Sequence, residues 1–106
     1  MNSRKRTPWG MADSESILAP GIISYSTASH GGIWIDADHR KRLMYADNWL
    51  KNPAWWEEDC DWAVPYYFFA GEICAYGKAY HFEENLKAAV ETVKRHHPDF
   101  MQRMAA

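Results

Sequence analysis

Four of the six tryptophans in this 106-residue chain fall between positions 49 and 62, and that crowding limits the fold more than any other feature. Each large aromatic side chain removes about 150–250 Å² from water when buried, so it demands a partner surface. Six Tyr and four Phe bring the aromatic share to 15%. That bulk favours a packed domain over disorder. A chain of this length builds one core and buries roughly two-thirds of its unfolded surface. Six indoles exceed what such a core takes readily, so at least one or two are expected outside it.

Turn chemistry and periodicity divide the chain. Residues 1–12 read as a basic N-terminal arm, with Arg4-Lys5-Arg6 followed by Thr7-Pro8-Trp9-Gly10, and residues 13–106 as a single domain. Pro20-Gly21 suits the centre of a type II turn, since Pro fixes φ and Gly accepts φ > 0. Around it, Ser16 to Leu18 and Ile22 to Ser26 read as strands, and Ile33-Trp34-Ile35 as a third in an antiparallel meander. Asp36 is placed to cap a helix from Ala37 to about Tyr45, with Leu43 and Met44 as its buried end. Asn52-Pro53 has the form of another helix start, carrying the chain through Trp62 to Phe69 with a kink or restart near Ala63 caused by Pro65. Residues 70–81 read as a loop. Phe82, Leu86, Ala89, Val90 and Val93 share one face of a last helix that ends at Pro98. Strands first and helices after give an α+β fold: a small antiparallel meander packed against two or three helices.

Charge and cysteine usage narrow the function. Twelve Lys and Arg against 14 Asp and Glu leave a formal charge of −2, which disfavours direct nucleic-acid binding through phosphates. No apolar run reaches the ~18 residues of a membrane span, and no apolar stretch follows the basic start as a signal peptide requires. Cys60 and Cys74 form no C-x-x-C pattern and read as free thiols in a reducing cytosol.

Three segments are candidates for chemistry. In Ser29-His30-Gly31-Gly32 the glycines could turn backbone N–H groups toward a ligand, although a strand-connecting loop is the simpler reading of so short and common a motif. In Trp55-Trp56-Glu57-Glu58-Asp59-Cys60-Asp61-Trp62, four carboxylates lie within five residues. On a helix Glu57 and Asp61 would repel at i and i+4, so the acids either favour a helix N-terminus or face a cationic partner. Cys60 is a poor nucleophile in that setting, since surrounding carboxylates raise a thiol's pKa. The five histidines lack zinc-type spacing, and no cofactor or metal is expected. The aromatic set itself suits either core packing or a protein-binding hot spot.

Together these motifs resemble a small uncharacterised domain family of plasmids, phages and other mobile elements. The likeness rests on Thr7-Pro8-Trp9-Gly10, Leu18-Ala19-Pro20-Gly21-Ile22, Ser26-Thr27-Ala28-Ser29-His30-Gly31-Gly32, Trp56-Glu57-Glu58-Asp59-Cys60-Asp61-Trp62-Ala63 and His97-Pro98-Asp99. Pro65 and the aromatic run after it depart from the aliphatic helix expected there. The resemblance implies a mobile-element origin and no reaction. The expected function is a non-enzymatic binding protein, monomeric or homodimeric in the host cytosol. It would cover a host protein or complex at a basic nucleic-acid-binding groove, as an anti-defence inhibitor of a CRISPR effector would. Its binding residues are Ser29, His30, Gly31, Gly32, Trp55, Trp56, Glu57, Glu58, Asp59, Asp61 and Trp62. The alternatives are a small hydrolase-like enzyme using His30 and Cys60, and a DNA-binding regulatory subunit using the basic arm with Arg40-Lys41-Arg42.

Overall fold

The computed structural model describes residues 5–105. Residues 1–4 of the expected arm lie outside them, and the remainder forms a ribbon of β1 (Arg6–Thr7) and β2 (Gly10–Met11). Thr7 Oγ1 donates to Gly10 O and accepts from Trp9 N, which closes the hairpin. The meander follows as expected: β3 (Ser14–Ala19), β4 (Ile22–Ser26) and β5 (Gly31–Ile35). Gly21 takes a φ of 86° between the first two, as the Pro-Gly turn requires.

A fourth strand, β6 (Trp55–Glu57), pairs antiparallel with β5 and makes the sheet order β3-β4-β5-β6. It lies where the sequence suggests a helix. Asn52 does not cap; its Oδ1 accepts from Ala54 N at 2.9 Å, an Asx turn that delivers the chain to the open edge of β5. Ile35 N then donates to Ala54 O and Glu58 N to Gly31 O, bracketing the new pairing. In strand alternation Trp56 joins Ile22, Ile33 and Ile35 on the face that meets the helices, fully buried at 0% exposure. The two-residue period of the strand sends Trp56 inward while Trp55 and Glu57 face the other side.

Helix α1 (Ala37–Leu43) starts at Asp36, whose carboxylate accepts from His39 N at 3.0 Å. Leu43 is buried as expected, but Met44 is exposed, because it closes the helix in the left-handed region at φ 53°. Helix α2 (Ala63–Phe68) is the expected restart, and Pro65 sits in its first turn, where a missing N–H leaves no gap. Residues 70–76 are helical rather than a loop: α3 (Ala70–Tyr76) ends on Gly77 at φ 75°. Helix α4 (Phe82–His96) buries Ala89 and Val93 as expected. Pro98 ends it and also opens α5 (Pro98–Ala105), because Pro is accepted at a first helical position. Phe100 of α5 is fully buried in the common core. No helix among the described residues is long and apolar enough to cross a membrane.

A buried imidazole ties the sheet half to the helical half. His39 Nδ1 lies 2.6 Å from Asp36 Oδ1 and its Nε2 lies 2.7 Å from Glu72 Oε2, while Arg42 donates to the other Glu72 oxygen. Burial raises the pKa of both carboxyls, but the hydrogen bonds they accept outweigh it. Asp36 and Glu72 are therefore held below their ordinary range.

Two outcomes test this packing. A Cβ at Gly32 would press into Trp56 O and the Trp9 ring, whereas one at Gly71 meets nothing within 4 Å. Gly32→Ala is expected to destabilise by at least ~1–3 kcal/mol, and Gly71→Ala to stabilise by about 0.5–1 kcal/mol, read by urea melts. Asp36 and Glu72 bind protons less readily folded than unfolded. Their stabilisation is complete above the ordinary carboxylate range near ~4 and drains as pH falls through it. The melting temperature is expected to drop between roughly pH 5 and 3, and by less in Glu72→Gln.

Candidate functional site

A cleft of about 720 Å³ opens where the β1–β2 ribbon, the β4–β5 loop, the chain from Asp47 to Lys51, the turn after β6 and the end of α4 meet. Trp9, His30, Trp49, Glu57, Asp59 and Cys60 line its walls. The sequence separates His30 from the acidic segment by 27 positions. Pairing of β5 with β6 removes that separation: His30 precedes β5, Gly32 faces Glu57 across the ladder, and Nδ1 of His30 lies 3.5 Å from Glu57 Oε2 and 3.8 Å from Glu58 Oε1.

The His30 loop is set by Thr27. Its Oγ1 donates to His30 O at 2.6 Å and accepts from the N–H groups of Ser29 and His30. Ser29 and His30 stay exposed. Gly31 and Gly32 lie inside β5 at negative or extended φ, so they form no N–H nest. Their role is close approach. A Cβ at Gly31 would lie 2.6 Å from Tyr25 O, and one at Gly32 would lie 2.5 Å from the Trp9 ring.

The acidic segment divides in two. Glu57 lines the cleft with a largely covered side chain, Glu58 and Asp59 are exposed, and Asp59 N donates to Glu57 Oε1 at 2.8 Å. Burial pushes the Glu57 carboxyl up, against the hydrogen bond from Asp59 N that lowers it; the charges of Asp59 and Glu58 add to the rise, and His30 opposes it least. Asp61 belongs to the interior instead. At 6% exposure its Oδ1 lies 2.9 Å from Nε2 of His97, itself 5% exposed, and its Oδ2 accepts from Trp49 N at 2.7 Å. Nδ1 of His97 lies 3.0 Å from Tyr45 Oη, which donates to Asp99. His97 therefore locks the α4–α5 junction to the turn before α2, a role beyond its position at a helix end. Of its links, only the Asp61 carboxylate stood in the candidate segment; the pairing has no spacing signal.

The aromatic candidates also separate. Trp56 is core, Trp55 packs edge-on against Trp9 and beside Tyr25, and Trp62 packs on Tyr66. The exposed indole is Trp49, 82% accessible and outside the expected segment. It stands on a loop organised by buried Asn48, whose amide donates to Asn52 O and Trp55 O and accepts from Asn52 N. Six indoles in a core this small predict an uncovered one, and composition does not single out Trp49.

Both cysteines are free. Cys60 shares the cleft with His30, but burial, then Asp61, Asp59 and Glu57, pushes its thiol up. A raised pKa keeps the proton on sulfur at neutral pH and withholds the nucleophile.

Residues 2–106 match a family model described as a domain of unknown function, DUF7007. No curated protein and no solved structure matches the chain.

Alkylation reads the thiol environment directly. Iodoacetamide is expected to label exposed Cys74 first in the folded protein, with Cys60 labelling accelerating only as pH rises past the ordinary thiol range near ~8.5. Rapid labelling of Cys60 at neutral pH would contradict the environment described.

Proposed function

The chain belongs to the DUF7007 family, and from its own cleft we propose that it is a protein-binding module that docks a basic surface of a partner. The observation that carries this reading is the cleft itself: one indole, Trp49, stands 82% exposed on its rim, and Glu57 and Asp59 line its wall. A large exposed aromatic on an anchored loop is the kind of residue that dominates protein interfaces. Asp61 and Asn48 hold that loop from below, so little side-chain freedom is lost elsewhere on docking.

The partner chemistry follows from the walls. Carboxylates at the rim attract Lys and Arg, and Trp49 offers a face on which a guanidinium stacks. A groove that normally holds nucleic acid supplies such cations. In this reading the protein comes from a phage or plasmid and covers that groove on a host defence complex, for example a CRISPR effector. The contact is a local patch, because the formal charge of the chain is only −2. The resemblance to mobile-element domains supports the setting, and the cleft supports the mode of contact.

The surface differs from the one the sequence suggests. Trp56 and Asp61 support it from inside and touch no partner; Trp49, Glu58 and Asp59 are the contact residues. Capture from a host lysate with wild type and a Trp49→Ala, Glu58→Gln, Asp59→Asn variant in parallel tests the assignment. A partner bound here is expected with wild type alone, to elute at raised salt and to be displaced by DNA. Equal recovery of every protein by both baits contradicts the reading.

A further inference from the structure

Glu57 and Glu58 are neighbours in a chain that leaves a strand between them, and both carboxylates reach one imidazole. We propose that His30, Glu57 and Glu58 form a binding site for a divalent first-row transition ion, of which Zn²⁺ is the type, at the mouth of the cleft. The proposal does not rest on the docking reading, since the ion binds with no partner present.

Geometry carries the argument. One ligand atom from each residue lies within 4.8 Å of the other two. The distances from His30 Nδ1, 3.5 Å and 3.8 Å, are long for hydrogen bonds. They suit ligands that share an ion: two atoms each ~2.1 Å from a metal at a tetrahedral angle stand about 3.4 Å apart. Successive strand residues point to opposite faces, so two adjacent glutamates do not normally converge. Here β6 ends at Glu57, and the Glu58 carboxylate lies beside Gly31, with Oε1 3.8 Å from His30 Nδ1.

The ligands are also held in place. Asp59 N occupies Glu57 Oε1 and leaves Oε2 facing His30. Thr27 fixes the backbone of His30 from both sides. Outer hydrogen bonds of this type orient metal ligands before the ion arrives. An imidazole with two carboxylates prefers zinc or manganese to calcium or magnesium, and three protein ligands leave positions for water. His30 and Glu58 are half-exposed, which gives the ion an entry path.

Protonated His30 held between two glutamates as an ion pair accounts for the same contacts without metal, and the test separates the two. The full chain, stripped with a chelator, is titrated with ZnCl₂ by calorimetry and with Co²⁺ by visible absorption, while the ring resonances of the histidines are followed by NMR. The expected result is one saturable site per chain in the micromolar range, with the His30 ring signals moving first. His30→Ala and Glu58→Gln, both surface changes, each weaken it roughly tenfold or more, and His81→Ala, remote from the cleft lining, leaves it unchanged. Absence of saturable binding at millimolar metal overturns the site. So does unchanged affinity in both variants, or a titration that moves His96 while His30 stays still.

Discussion

Two segments 20 residues apart, Gly32–Trp34 and Trp55–Glu57, meet as antiparallel strands, and the indole of Trp56 enters the core between them and the helices. Most of what surrounds the cleft depends on that pairing. It sets Ile33 against Trp56 on the helix side and Gly32 against Glu57 on the other, so one register fixes both a packed core and a polar wall. Gly32 makes the arrangement possible, because any side chain there would meet Trp56 O and the ring of Trp9. Trp9 in turn holds the N-terminal ribbon on the sheet through its edge-on contact with Trp55.

Two buried histidines fasten the helices to this frame. His39 joins the cap of α1 to Glu72 on α3, and His97 joins the start of α5 to Asp61 and Tyr45. Each ring has a polar partner at both nitrogens, so neither leaves an unsatisfied group inside. Removing Glu72 or Asp61 would leave a buried ring nitrogen unpaired, which costs more than the bond itself contributes. Both links bridge residues more than 30 positions apart, which gives a small chain long-range connections without disulfides.

Local rules made much of the fold legible. Pro20-Gly21, the alternating Ile22 to Ser26, the Asp36 cap and the Phe82–Val93 face all act over a few residues, and each stands where its rule places it. The segment from Asn52 to Trp62 carries a helix signal and folds as a turn and strand, because Asn-Pro serves an Asx turn as well as a helix cap. The deciding term was the free edge of β5, which no window around Trp55 contains. Helix α3 was hidden by Gly71 and Gly77, of which only the second ends anything. Within the candidate site, His30 and the acidic segment were each recognisable, yet their meeting was not. Asp61 and His97, 36 positions apart, carry no shared motif at all.

The same pairing governs the functional reading, since it buries Trp56, withdraws Asp61 to the interior and leaves Trp49, Glu58 and Asp59 outside. Nuclear Overhauser contacts in the labelled protein test it most directly. The register expects close Hα–Hα contacts between Gly32 and Glu57 and between Trp34 and Trp55. Sequential amide contacts with Hα–N(i+3) connections running from residue 53 to 62 would mean a helix there, and would contradict the strand, the cleft wall and the His30–Glu57 meeting together.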